Sequence, residues 1–237
     1  MVTKKILLTG GTRGLGRAMA QACLEAGHQV AFSYRQREDL ARELMAAFPG
    51  QALGIQGDLK IPKDNEHLLQ ESISFLGGLD VLVNNAGREG YGFLADMDPR
   101  EVREILETNL MGTLDLTRQA IPHLIRGKGL IISITSIWGK KGASCEVPYA
   151  MSKAALEAMS ISLARELGPS GVRSLTLAPG LFDTEMNQGL ELEGFVEEIP
   201  LKRMGDPGEA ARLLLYLIRE GSYLNGASIT IDGGWSI

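Results

Sequence analysis

The chain has 237 residues, 44% of them hydrophobic and 22% charged, which is enough apolar material for a full core and excludes a disordered chain. Its 24 Lys and Arg stand against 29 Asp and Glu, a formal net charge of -5, without the basic footprint of a nucleic-acid binder or a polybasic membrane patch. Two cysteines, Cys23 and Cys145, and three scattered histidines cannot build a disulfide scaffold or a zinc site, so no metal is expected.

Short apolar runs alternate with amphipathic stretches along the chain. Lys4 to Thr9 reads as a buried strand closed by glycines, and Leu15 to Ala26 as a helix that stops at Gly27. A strand at Gln29 to Tyr34, a helix at Glu38 to Phe48, a strand at Gln51 to Gln56 and a helix from Pro62 to Phe75 follow. Asp80 to Val83 is the next strand, and Pro99 suits the first turn of one long helix reaching towards Leu124. The pattern closes with a strand at Leu130 to Thr135, a helix at Val147 to Leu167, a strand at Val172 to Leu177, a helix at Pro207 to Arg219 and a strand at Ala227 to Ile231. Glu191 to Glu198 is locally acidic but too short to be a tail.

Strands that alternate with helices imply an α/β fold, a doubly wound parallel sheet covered on both faces. No linker or repeat interrupts it, so residues 1–237 are expected to form a single domain. Met1 to Lys5 lead straight into the first strand and no apolar run is long enough to span a bilayer, which predicts a cytoplasmic chain with no membrane contact.

The first strand runs into Thr9-Gly10-Gly11-Thr12-Arg13-Gly14-Leu15-Gly16 and then a helix. Gly10 suits a tight turn, while Gly14 and Gly16 remove Cβ atoms that would keep a diphosphate from the helix N-terminus. An ordinary strand-to-helix turn is the plainer reading of such glycines; their position between a strand and an amphipathic helix argues for phosphate binding. The spacing Thr-Gly-x-x-x-Gly-x-Gly resembles the short-chain dehydrogenase/reductase family, and the resemblance extends from Lys4 to the C-terminus.

That resemblance implies a Rossmann-like fold and a nicotinamide cofactor. It assigns cofactor contact to Gly10, Thr12, Arg13, Gly14, Leu15 and Gly16, with Thr9 bracing the loop. Asp58-Leu59 matches the position where the family's Asp holds the adenine amino group, although a turn or helix-capping Asp explains it equally simply. Asn84-Asn85-Ala86-Gly87 is the next marker, with Asn85, Ala86 and Gly87 beside the cofactor. Pro179, Gly180 and Thr184 resemble the segment that contacts the nicotinamide carboxamide, although a Pro-Gly pair is also a plain turn.

The end of the second strand discriminates between the two nicotinamide cofactors. An acid there would bond both ribose hydroxyls and repel a 2′-phosphate, but this chain has Ser33-Tyr34-Arg35. Arg35 and Arg13 suit a phosphate, so NADPH is expected with Tyr34 and Arg35 as contacts, against the simpler possibility of solvated surface arginines.

Tyr149-Ala150-Met151-Ser152-Lys153 places Tyr149 and Lys153 at i and i+4 on one helix face. A free phenol has a pKa near about 10, and a neighbouring ammonium favours its ionised form. Ser136 lies thirteen positions before Tyr149, and Asn109 sits in Glu107-Thr108-Asn109-Leu110. The resemblance then implies that Tyr149 protonates a carbonyl oxygen and that Ser136 hydrogen-bonds it. It also has Lys153 hold the nicotinamide ribose and lower the tyrosine pKa, and Asn109 support a water in the proton relay.

Thr9 to Gly16, Glu107 to Leu110, Leu163 to Glu166, Pro179 to Met186 and the run from Leu224 through Gly234 are similar to bacterial 3-oxoacyl-[acyl-carrier-protein] reductases. That similarity implies a carrier-tethered acyl substrate, an acyl carrier protein as partner, a role in fatty acid biosynthesis and a homotetramer. Arg126, Lys128, Lys140 and Lys141 are candidate docking groups or plain solubilising surface. Trp138 faces an acyl chain or fills a core or subunit interface, and Cys145 is placed to line the pocket. An NADP-dependent reductase or dehydrogenase of a free ketone, alcohol or polyketide-like intermediate, and a non-enzymatic NADP sensor or scaffold, are the competing functions.

Overall fold

The computed structural model describes residues 2–185 and 192–237. Met186 and Glu191, which bound two of the stretches singled out above, lie outside the described residues. The strands are β1 (Lys5–Leu8), β2 (Gln29–Tyr34), β3 (Ala52–Gln56), β4 (Val81–Asn84), β5 (Leu130–Ile134), β6 (Arg173–Pro179) and β7 (Ser228–Ile231). They form one parallel sheet in the order β3-β2-β1-β4-β5-β6-β7.

Period-two alternation splits the core between the two faces of the sheet. Ile6 and Leu8 of β1, Val30 and Phe32 of β2, Val81 and Val83 of β4, and Ile132 of β5 enter one buried cluster. Leu7, Ala31, Leu82 and Ile131, the residues between them, enter the other. The first face is covered by α1 (Gly14–Glu25), α2 (Glu38–Ala47) and α9 (Pro207–Arg219), through Met19, Cys23, Ala41, Leu44 and Leu214. The second is covered by α3 (Pro62–Leu76), α5 (Thr113–Gly127) and α7 (Val147–Leu167), through Leu68, Leu76, Leu116, Leu124 and Leu167. Each such side chain contributes roughly 1.5–3 kcal/mol on burial, which is why the strands read as continuous apolar runs.

Sequence signals set the helix ends. Asp98 accepts a hydrogen bond from Arg100 N–H ahead of Pro99, and Asp206 and Glu209 form a reciprocal capping box at the start of α9. The long helix expected from Pro99 is broken in register: α4 (Pro99–Leu106) passes through a π-helical stretch, Glu107–Gly112, into α5. At Gly112 that stretch presses on the backbone before α3, since an added Cβ would come within 2.3 Å of the Leu59 carbonyl oxygen. Two short helices not expected from periodicity, α6 (Trp138–Lys141) and α8 (Glu193–Glu198), follow β5 and β6. Among the described residues no helix is long and apolar enough to cross a membrane.

The order reverses around β1, which pairs with β2 on one side and β4 on the other. In such sheets the crevice at the carboxyl ends of the strands, beside that reversal, is where a ligand sits.

Candidate active site

A cleft of about 590 Å³ opens at that edge. Of the residues singled out by sequence for catalysis or cofactor contact, all but Thr9 and Asn109 line it. Those two stand just behind its wall. Thr9 Oγ1 accepts from the backbone N–H groups of Asn85 and Ala86, at 3.0 and 2.9 Å, so it ties the end of β1 to the Asn-Ala-Gly segment. The Asn85 side chain donates to the carbonyls of Thr9 and Gly10 at 2.9 and 3.1 Å, which commits its amide to bracing the loop.

The glycine-rich loop keeps α1 open to an anion. Arg13 at the N-cap is extended and makes no side-chain cap hydrogen bond, so the first N–H groups of α1 face the cleft without a capping side chain. Gly14 has φ +50°, in the left-handed region. Gly16 has a reason besides the expected one. An added Cβ would lie 2.0 Å from the Gly10 carbonyl oxygen and 2.4 Å from Asn85 Nδ2, so this glycine lets the loop close on itself. The open helix end and the glycine cradle fit a dinucleotide diphosphate.

The adenosine end is more ionic than the sequence suggested. Arg35 lies 3.8 Å from the Asp58 carboxylate and Arg13 lies 3.8 Å from that of Glu185. Arg37, which sequence reasoning passed over, lines the cleft beside Arg35 and binds Asp39 with two hydrogen bonds of 3.0 and 2.8 Å. Two arginines separated by one residue at a strand-to-helix turn were the available signal. Asp58 also has the turn geometry that was its simpler reading, with Oδ1 accepting from Lys60 N–H at 3.2 Å. Leu59 is buried in the second core cluster as well as touching the cleft.

At the other end the strands and α7 bring Ser136, Tyr149 and Lys153 together. Ser136 accepts from Trp138 N–H at 3.2 Å, and its hydroxyl lies near enough to the Tyr149 phenol to favour the ionised form. Lys153 is only 4% exposed and donates to the Ile134 carbonyl at 2.9 Å, with Nζ 5.5 Å from the Tyr149 ring centroid. Burial holds the ammonium down at about 8.

The expected lowering of Tyr149 is not what this geometry delivers. Burial pushes the phenol up, the Ser136 hydroxyl opposes it, and the Glu146 and Glu89 carboxylates add to the rise. The phenol is therefore a neutral proton donor at neutral pH, the form that protonation of a developing alkoxide requires.

The Asn109 side chain makes three hydrogen bonds within the protein. Its Oδ1 accepts from Arg88 N–H at 2.8 Å, and its Nδ2 donates to the Arg88 carbonyl at 2.9 Å and to Ser152 Oγ at 3.1 Å. Ser152 Oγ in turn donates to the Tyr149 carbonyl at 2.7 Å. The Asn109 side chain thus clamps the segment after Gly87 to α7, with both of its amide hydrogens engaged. Arg88, which also lines the cleft, is paired with Glu104.

Other sequence candidates fall elsewhere. Trp138 packs edge-on against Trp235, ring centroids 4.9 Å apart, in a small cluster with Ile137, Leu181 and Ile199. Lys140 donates to Thr230 Oγ1 at 3.0 Å and Lys141 to the Trp235 carbonyl at 2.8 Å, so both tie down the C-terminal segment. Arg126 and Lys128 stand at the end of α5, next to the start of β5 and thus across the sheet from the cleft. None of the four belongs to the cleft lining. Cys145 likewise does not line it; its carbonyl accepts from Gly92 N–H at 2.8 Å.

A family model described as enoyl-(acyl carrier protein) reductase matches residues 10–236. Carbonyl reductase family member 4 of Danio rerio is 32% identical, with 98% of both chains covered. The 3-oxoacyl-[acyl-carrier-protein] reductase MabA of Mycobacterium tuberculosis is 33% identical over 98% of this chain and 93% of its own length. A short-chain dehydrogenase from Burkholderia cenocepacia, solved in complex with NADP, superposes with a TM-score of 0.94 at 31% identity, covering 99% of this chain and 98% of its own. A 3-ketoacyl-(acyl-carrier-protein) reductase from Brucella melitensis, complexed with NADH, also gives 0.94, at 26% identity over 99% and 98% of the two chains.

Proposed function

The chain belongs to the short-chain dehydrogenase/reductase family of oxidoreductases, and from that premise we propose that it reduces a 3-oxoacyl thioester to the 3-hydroxyacyl form at the expense of NADPH. The observation that carries this reading is a half-buried, neutral Tyr149 beside Ser136 and a buried Lys153, at one end of a cleft whose other end offers an open helix terminus and three arginines. One domain over residues 1–237 then performs both binding and catalysis.

When bound, the cofactor supplies a hydride to C3 of the acyl group. Tyr149 gives its hydroxyl proton to the C3 oxygen while the Ser136 hydroxyl holds that oxygen in line. Lys153 Nζ binds the nicotinamide ribose hydroxyls and carries the charge that helps Tyr149 recover its proton. Asn109, through Arg88 and Ser152, fixes the walls on either side. Gly10, Thr12, Gly14, Leu15 and Gly16 would hold the diphosphate end, Arg13, Tyr34 and Arg35 the ribose phosphate, and Asp58 and Leu59 the adenine. Ala86 and Gly87 admit the cofactor along β4. Pro179, Gly180 and Thr184 meet the carboxamide.

Preference for NADPH rests on Arg13 and Arg35 and on Tyr34 where a ribose-binding acid would stand. Titration of both cofactors is expected to show tighter NADPH binding that is lost in the Arg13→Ala/Arg35→Ala variant. Equal or tighter NADH binding by the wild type contradicts it.

A thioester substrate is supported by the similarity to MabA and by three exposed apolar side chains, Tyr91, Phe93 and Leu94, that follow the cleft residues Arg88 and Glu89 in the chain. On this reading an acyl carrier protein delivers the substrate in fatty acid biosynthesis or a related cytoplasmic pathway. The similarity to a carbonyl reductase favours a free ketone instead. Comparing NADPH oxidation with acetoacetyl-CoA against a panel of simple ketones separates the two: faster turnover of a simple ketone removes the thioester reading.

The exposed face of α7 carries Met151 and Ile161, and that of the π stretch and α5 carries Met111, Leu114 and Ile125. Apolar side chains collected on neighbouring helices suit burial against a second copy, and a homotetramer built on these helices and on β7 is the assembly we propose. Trp235 is buried within its own chain and adds nothing to that exposed surface. Light scattering at micromolar concentration should give a multiple of 25.6 kDa; a monomer mass would end the proposal.

A further inference from the structure

We propose that Glu185 is a specificity-determining residue: its carboxylate is the resident counter-ion of the arginines that read a ribose 2′-phosphate, and it limits how strongly the phosphorylated dinucleotide is preferred. The proposal rests on the cofactor reading above and deepens it.

Glu185 leaves the segment that follows β6 and reaches across to the glycine-rich loop, where Oε2 lies 3.8 Å from Arg13 Nη1. The two segments are close in their backbones as well, since a Cβ added to Gly14 would sit 3.5 Å from Thr184 Cβ. Arg37, on the far side of the mouth, is held above its ordinary value first by its hydrogen bond to Asp39 and in lesser part by the charge of Glu185. Glu185, Arg13, Arg35 and Arg37 all line the one cleft.

The three carboxylates at this end are not equivalent. Asp39 is held by two hydrogen bonds from Arg37, and Asp58 accepts a backbone N–H within its own turn. Glu185 comes from the opposite wall of the cleft and meets Arg13 at long range, with both side chains about half exposed.

A 2′-phosphate brings up to two negative charges and three acceptor oxygens, so it outcompetes a carboxylate for a guanidinium. Until Glu185 swings away it repels that phosphate; afterwards the Arg13 contact has been exchanged rather than gained. NADH carries no 2′-phosphate and meets no such competition. Glu185 therefore taxes one cofactor and spares the other.

The test is equilibrium titration of wild type and Glu185→Gln with 2′,5′-ADP, NADPH and NADH. Removing the charge is expected to tighten 2′,5′-ADP and NADPH by about two- to fivefold, the range open to an exposed ion pair, and to leave NADH unchanged. The gain should shrink as salt is raised, because these charges are solvent-exposed. Unchanged or weaker binding of both phosphorylated ligands overturns the proposal. Glutamine matches the shape of the half-exposed glutamate, and Glu185→Ser supplies an independent check on any effect of the amide itself. In an Arg13→Gln/Arg37→Gln background the gain should disappear; a gain that persists in full there also overturns it. If the wild type binds NADH as well as NADPH, the cofactor reading fails by itself, while the 2′,5′-ADP titration still decides what Glu185 does.

Discussion

Lys153→Met is expected to raise the melting temperature while removing most of the activity. Burial holds the Lys153 ammonium at about 8, against an ordinary value of 10.5. The unfolded chain therefore binds the extra proton between those two values, so stability rises with pH across that window and the cost of burying the charge is fully present below it. That cost is on the order of 3 kcal/mol. Methionine occupies similar space without a charge and gives up one hydrogen bond to the Ile134 carbonyl. The net gain should appear as a rise of several degrees at neutral pH, since about 1 kcal/mol moves a chain of this size by roughly 2–4 °C. Turnover should fall at least a hundredfold, with weaker NADPH binding, as one ammonium serves both the ribose and the phenol. In the wild type, kcat/KM should decline above pH 8 as the free enzyme loses this proton. A variant that melts lower, or one that keeps its activity, contradicts this assignment.

Tyr149→Phe deletes one oxygen from the position where the C3 alkoxide develops. The ring stays, and Ser136 keeps its bond from Trp138 N–H. Fold and NADPH affinity should survive, while turnover drops by about a hundred- to ten-thousandfold, the range general acid catalysis supplies. The raised phenol explains why the loss should persist across neutral pH: Tyr149 is the protonated donor throughout that range. A variant within tenfold of the wild-type rate would remove Tyr149 from the chemistry.

Much of this was legible in the amino-acid sequence because it rests on local patterns. Alternation of Ile6, Leu7 and Leu8, or of Val81, Leu82 and Val83, already states which residues face each core, and the structure distributes them so. The Gly10 to Gly16 spacing, the i, i+4 pair Tyr149 and Lys153 and the upstream Ser136 converge on one cleft because each sits at a strand end or on the helix beside it.

What the sequence hid depends on distant partners. The π register at Glu107–Gly112 follows from Asn109 gripping Arg88 and Ser152 and from Gly112 packed on Leu59, none of which leaves a periodic trace. The direction of the Tyr149 shift is a sum over burial and the carboxylates of Glu89 and Glu146, whereas spacing revealed only the lysine. Spacing matched Gly16 to a ligand but could not show that the Gly10 carbonyl also demands a glycine there. Lys140 and Lys141 looked free for a partner and are instead bonded to Thr230 and to the Trp235 backbone.

The central claim is that this cleft turns over a carbonyl substrate rather than merely holding a nucleotide. Its most direct test is a mass balance: NADPH consumed, followed by its absorbance, against 3-hydroxyacyl thioester formed, quantified by chromatography, with wild-type protein and acetoacetyl-CoA at neutral pH. Equal amounts of the two, with no NADPH loss when the thioester is omitted, is the predicted result. Tight NADPH binding with neither consumption nor product, with the thioester or with any ketone of the panel, would make the protein a nucleotide-binding sensor or scaffold and contradict the mechanism.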